Sequence, residues 1–124
     1  MADKYPGPEG RELGTGNVLA FACSSRQSLQ HVTSRGGRLI LIALSDGTLR
    51  FTELLWRLDG ISERMLAQTL QAFESDRLAT RRAHDVVPPH VDDTLTPLGA
   101  EVASRLRILA CRIKDNLADL LAPA

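Results

Sequence analysis

Three residues in the stretch "ISERMLAQTLQAFESDRL" carry side chains suited to contacting a base edge: Arg64, Gln68 and Gln71. An arginine fork matches the two acceptors of guanine, and a glutamine amide matches the donor and acceptor of adenine. Spacings of four and then three put the trio on one side of a helix. Leu66, Leu70 and Phe73 fall on the other side. The segment therefore predicts an amphipathic helix with a buried aliphatic face and an opposite polar face without carboxylates. A plain solvated helix face has the same composition, so the elements around it decide its chemistry.

Arg35, Arg38, Arg50, Arg81 and Arg82 are suited to phosphate contacts, which position a protein without reading sequence. Arg50 and Arg35 are the better placed, each at the expected start of a helix. Arg81 and Arg82 are adjacent on an expected strand, so only one can face a given side. His31, His84 and His90 raise the question of metal or acid–base chemistry. No C-x-x-C, H-x-x-x-H or carboxylate cluster goes with them, and no metal is expected. There is no glycine-rich phosphate loop and no nucleophile elbow, so neither an enzyme nor a cofactor is expected. Cys111, beside Leu109, Ala110 and Ile113, reads as a buried small hydrophobe.

The elements that must position these residues come from the whole chain. Its 124 residues fit one domain with a modest core, and with only 4% aromatic residues that core is aliphatic. The formal net charge is zero, so any polyanion binding must come from a local basic face. Two cysteines, Cys23 and Cys111, make no disulfide framework, and no apolar run is long enough for a membrane span. The expected location is the cytoplasm, with reduced thiols.

Residues 1–17, rich in Pro, Gly and charge, read as a flexible arm, and 18–124 as the folded domain. Ser24 or Ser25 caps a first helix to about Thr33, with Leu29 and Val32 on its core face. Ser34 caps a second over Leu39–Leu44, which Asp46-Gly47 stops. "RFTELLWRLDG" is a short helix, and Ser62 caps the amphipathic helix with Ile61 as a staple. Two strands flank Pro88 and Pro89, which hold a stiff hairpin tip. Thr96 caps, and Pro97 opens, a last helix over 97–121, whose stripe runs Leu98, Val102, Leu106, Leu109, Ile113, Leu117 and Leu120. So much aliphatic surface on one helix calls for a second copy of the chain. A short helix, a tight turn, a polar-faced helix and a strand–tip–strand make a winged helix-turn-helix: about 51–76 for the helix pair, 78–96 for the wing and 97–121 for dimerisation. The expected fold class is mainly α with a small β wing.

"DGTLRFTELLWRLDGISERMLAQTLQAFESDRL", "VPPHVDDTLTPLG" and their separation resemble the HxlR-type winged-helix transcriptional regulators, relatives of the MarR regulators, from Cys23 to about Leu121. The resemblance implies a homodimer that binds a pseudo-palindromic operator in double-stranded DNA and responds to an oxidant, an electrophile or another small signal. In this element order the candidate DNA contacts are Arg35, Arg50, Ser62, Arg64, Gln68, Gln71, Arg82 and His90. The resemblance also offers Cys23 as a redox-sensing thiol, since the family commonly carries a cysteine there. A helix N-terminus just after Cys23 favours a thiolate, whereas Phe21 and Ala22 make an apolar setting that opposes one. A packed cysteine without a signalling role is the other reading. The chain departs from the family pattern at Ser24 (usually Pro), Arg35-Gly36 (Lys-Trp), Arg77 (Gly), His90 (Arg) and Asp92-Asp93 (Glu-Tyr). The changes at 36 and at 90–93 imply looser packing of the second helix and a wing less attractive to phosphate. A winged helix used as a protein-interaction module, with weak or no DNA binding, is the alternative.

Overall fold

Helices and strands appear in the order that hydrophobic spacing and caps dictate, with one strand that local pattern did not announce. The computed structural model describes residues 19 and 24–123. Cys23 and the N-terminal arm lie outside the described residues. The chain divides into two units, Met1–Ser34 and Arg35–Ala124. In the first, α1 runs over Ser24–Thr33. Val32 on it is buried, but Leu29, expected on the same core face, is about half exposed.

The second unit holds α2 (Arg35–Leu44), β1 (Leu49–Arg50), α3 (Phe51–Arg57), α4 (Glu63–Ser75), β2 (Ala79–His84), β3 (His90–Leu95), α5 (Pro97–Asp115) and α6 (Leu117–Leu121). Ile40, Leu41, Leu44, Leu54, Leu66, Leu70, Phe73, Leu78 and Ala103 contribute to its core, aliphatic but for Phe73. The run Leu39–Leu44, which periodicity left open between strand and helix, is helical and buries Ile40, Leu41 and Leu44. Gly36 is buried where α2 meets α4. A Cβ there would already touch Met65 Sδ at 3.4 Å and Thr69 Oγ1 at 3.6 Å. A side chain at 36 would therefore first meet Met65 and Thr69 of α4.

β1, β3 and β2 form one antiparallel sheet in that spatial order. β1 is only two residues long, too short for a period-two signal, and Leu49 and Arg50 reveal it only through their partners Asp93 and Asp92. The hairpin register pairs Arg81 with Asp93, Arg82 with Asp92 and His84 with His90. Because alternate residues face opposite sides, Arg82, His84, His90 and Asp92 share one face, and Arg81 and Asp93 the other. The two prolines stand in the exposed connection between β2 and β3.

Three local devices set the orientation of α4 and of the helix after the wing. Ser62 Oγ accepts from Met65 N at 3.1 Å, with Ile61 and Leu66 buried at the staple positions. α4 ends in a Schellman turn: Arg77 N donates to Glu74 O and Leu78 N to Phe73 O, with Arg77 left-handed at φ 61°. Thr96 then closes the base of the wing. Its Oγ1 donates to Arg77 O (2.7 Å) and accepts from Gly99 N (3.0 Å), while its N–H donates to Leu78 O (3.0 Å). A Cβ at Gly99 would collide with the Leu78 carbonyl, so only glycine fits there.

The single helix expected over 97–121 is two. α5 stops at Asp115, and Asn116 (φ −113°, ψ 20°) breaks the ladder before α6. Nothing in the aliphatic stripe marks that break. α5 packs on α2 and β3 and buries Gly99 and Ala103. Its second half and α6 leave Ile108, Leu109, Ile113, Leu117, Leu120 and Leu121 exposed. Cys111, expected to be buried, is exposed as well. Arg107 donates to Asp46 Oδ1 at 2.7 Å and to Ser45 Oγ at 2.9 Å, tying α5 to the end of α2. That guanidinium holds the Asp46 carboxyl below the usual carboxylate range.

Candidate nucleic-acid interface

α4 presents the expected division of faces. Leu66, Leu70 and Phe73 are fully buried, while Arg64, Gln68 and Gln71 are exposed. The buried side locks the helix against β2 and α2, so the three polar side chains project from a fixed support. Ser62, at its N-cap, is exposed, but its oxygen is already bonded to the helix N-terminus.

The flanking residues fall on three elements. Arg35 is exposed at the first turn of α2, and its Nη2 would lie 3.8 Å from a Cβ on Gly60, in the turn between α3 and α4. Arg50 is exposed at the end of β1, where its backbone N–H donates to Glu53 Oε1 at 3.1 Å and starts α3. A hollow of about 200 Å³ is lined by Arg50, Phe51 and Thr52, by Ala67 of α4, and by Arg81, His90 and Val91 of the wing. α3, α4 and the wing thus share one concave surface, and Thr52 belongs to it although its sequence context gave no hint.

The wing is less free than its sequence implied. Arg82 is exposed and stands opposite Asp92, which has Arg50 on its other side in the sheet. His90 is mostly covered and stacks on His84, with ring centroids 4.5 Å apart. His84 Nε2 lies 2.7 Å from Asp92 Oδ2. The histidines therefore do have a carboxylate beside them, contrary to the sequence reading. Residues six and eight apart in sequence become neighbours because the hairpin folds them onto one face. The signal was the Pro-Pro tip itself, which centres the pairing of His84 with His90.

Asp93 corrects a second expectation. Read with Asp92 as an acid repelling phosphate, it is instead fully buried on the inner face. Its Oδ1 accepts from Arg81 Nε at 2.8 Å, and its Oδ2 has no partner among the described residues. Burial pushes the Asp93 carboxyl up, and the neighbouring Arg81 opposes that rise. Arg81, facing inward over the Phe51 ring at 5.5 Å, is thereby held to the core, while Arg82 keeps the outer face.

Comparison with known proteins agrees with this geometry. The chain matches the HxlR-like helix-turn-helix family over residues 31–119. It is 51% identical over 112 residues to the HTH-type transcriptional regulator YtfH of Escherichia coli K12, whose activity is uncharacterized, covering 90% of this chain and 89% of that one. The structure of transcriptional regulator YtfH from Salmonella typhimurium superposes with a TM-score of 0.81 at 52% identity, over 86% of this chain and 95% of that one. A MarR-family regulator from Porphyromonas gingivalis W83 gives a TM-score of 0.69 at 30% identity, over 78% and 95%. No helix among the described residues is long and apolar enough to cross a membrane. The family match and the regulators it groups with agree on one assignment: the chain has the winged helix-turn-helix fold and belongs to the HxlR-like family of transcriptional regulators.

Proposed function

We propose that the protein is a cytoplasmic homodimer that binds a pseudo-palindromic operator, with α4 in the major groove and the wing on the neighbouring backbone. The observation that carries this reading is the exposure of Arg64, Gln68 and Gln71 on a helix whose other face is fully buried, beside a hollow shared with Arg50 and the wing. Arg64, Gln68 and Gln71 read base edges. Arg35, Arg50 and Arg82 contact phosphates, with the N-terminal turn of α4 at Ser62 and the wing at His90 beside them. The uncovered aliphatic face of α5 and α6 supports pairing with a second copy, which sets the two reading helices about one duplex turn apart.

The test is fluorescence anisotropy with upstream DNA, titrated with salt. Tight binding that weakens steeply with salt is expected, because phosphate contacts release counterions. Absence of binding at low salt overturns the reading. It would favour the protein-interaction module, for which Trp56, 88% exposed on α3 beside Leu58 and Ile61, offers an aromatic contact point.

Cys23 is proposed as the entry point of an oxidant or electrophile signal. Diamide should abolish DNA binding by the wild type and leave Cys23→Ser unaffected. Equal loss in both, or loss in neither, assigns Cys23 a structural role. Cys111 is exposed and serves as the control thiol, so Cys111→Ser should respond as the wild type does.

A further inference from the structure

We propose that His84, His90 and Asp92 form a three-ligand site for a divalent transition ion of the zinc class, on the outer face of the wing. One ligand atom from each lies within 4.8 Å of the other two. The register makes His84 and His90 direct cross-strand partners, and Asp92 follows His90 on the same face of β3. All three side chains are partly withdrawn from solvent, at 28%, 22% and 26% exposure. They are neither dispersed surface groups nor a closed core.

The three groups do not fully satisfy one another. Asp92 Oδ2 meets His84 Nε2 at 2.7 Å, but Asp92 Oδ1 and His90 Nε2 stand 4.0 Å apart, too far for a hydrogen bond. The His90 ring is instead laid flat on His84. Tetrahedral ligands about 2 Å from an ion stand roughly 3.3 Å apart, so small side-chain rotations close the site around one. The backbone contribution is already made: a hairpin with a fixed register and two prolines in its connection holds the ligand-bearing positions before any ion arrives.

The donor set narrows the ion. Two imidazoles and one carboxylate suit zinc and its borderline neighbours, whereas magnesium and calcium prefer oxygen alone. Three protein ligands leave a fourth position for water, which the partial exposure admits. An ion here also brings positive charge between Arg50 and Arg82, the partners of Asp92 on either side. Its effect on DNA affinity rests on the DNA-binding reading above, but occupancy of the site does not.

The test uses the full chain without DNA. Cobalt(II) titrated into the reduced protein should give one tetrahedral d–d spectrum per chain, without a thiolate charge-transfer band, and zinc should displace it. Zinc should shift the imidazole ¹H–¹⁵N correlations of His84 and His90 and leave those of His31 in place. His84→Ala and His90→Ala should each weaken cobalt binding at least tenfold with unchanged circular dichroism. An octahedral or absent cobalt spectrum, a thiolate band from Cys23 or Cys111, or imidazole signals of wild type that zinc does not move, overturns the proposal without depending on any variant. If the metal binds and leaves DNA affinity unchanged, the site stands and only its influence on the DNA face is excluded.

Discussion

α4 and the C-terminal half of α5 are both amphipathic helices that leave one face uncovered, and the two faces differ in kind. On α4 the uncovered face carries Arg64, Gln68 and Gln71, and on α5 and α6 it carries Leu109, Ile113, Leu117 and Leu120. Water satisfies the first face and not the second. An arginine and two glutamines lose little by waiting in solvent and gain direction only from a ligand with matching polar edges. Aliphatic side chains on a stripe gain simply by being covered, with little demand on the partner beyond shape. The same 3.6-residue period therefore serves two uses, and the chemistry of the uncovered residues separates them.

The strongest challenge to this contrast is to charge the aliphatic face. Leu109→Asp with Ile113→Asp should give a monomer at micromolar concentration by sedimentation, because a buried partner cannot solvate two carboxylates. Operator affinity should fall roughly 100-fold or more once the second half-site is no longer tethered. A variant that stays dimeric would move the interface elsewhere.

The next change removes reading without touching assembly. Gln68→Ala or Arg64→Ala should cost roughly 1–3 kcal/mol on the operator and much less on random DNA, measured by anisotropy on both. Equal losses on the two DNAs would mean that another face of α4 enters the groove. Arg50→Ala should weaken both DNAs alike and lower the salt slope by about one, marking a phosphate contact at the edge of the hollow.

Two smaller effects show that neither face is merely a matter of stability. Arg77, between α4 and the wing, holds a left-handed backbone at φ 61°, so Arg77→Gly should raise thermal stability by about 1 kcal/mol with dimerisation unchanged. For Asp93, burial raises the folded carboxyl above the ordinary 3.8, so the folded state holds that proton more tightly than the unfolded chain. Its contribution is fully present below the unfolded value and is lost as pH rises through the folded value. Asp93→Asn keeps an acceptor for Arg81 and removes that loss, so unfolding followed from acid to neutral pH should show the variant gaining on the wild type as pH rises.

The sequence showed most clearly what local spacing controls. Ser62 and Thr96 announce their helices because each offers a hydroxyl at a helix start, and Leu66, Leu70 and Phe73 announce a buried face by period. What it hid depends on partners far along the chain. β1 is visible only through Asp92 and Asp93, and the burial of Asp93 only through the register that sends Arg81 inward. The exposure of Cys111 and the break at Asn116 were masked by an aliphatic stripe that continues past both. At the candidate interface, Arg64, Gln68 and Gln71 were legible from a single helix. The grouping of His84, His90 and Asp92 needed the pairing of two strands.

The closure at Thr96 has a mechanical consequence. One hydroxyl bonds the exit of α4 at Arg77 and the start of α5 at Gly99, while the backbone on either side is pinned at Leu78. The seventeen hairpin residues between Leu78 and Thr96 branch off from this joint and do not act as a flexible tether. The joint between α4 and α5 is thus fixed within the chain. In the two-fold pair proposed above, half-site separation would become a fixed gauge, and any signal that changed it would have to flex this joint or rotate one whole chain against the other.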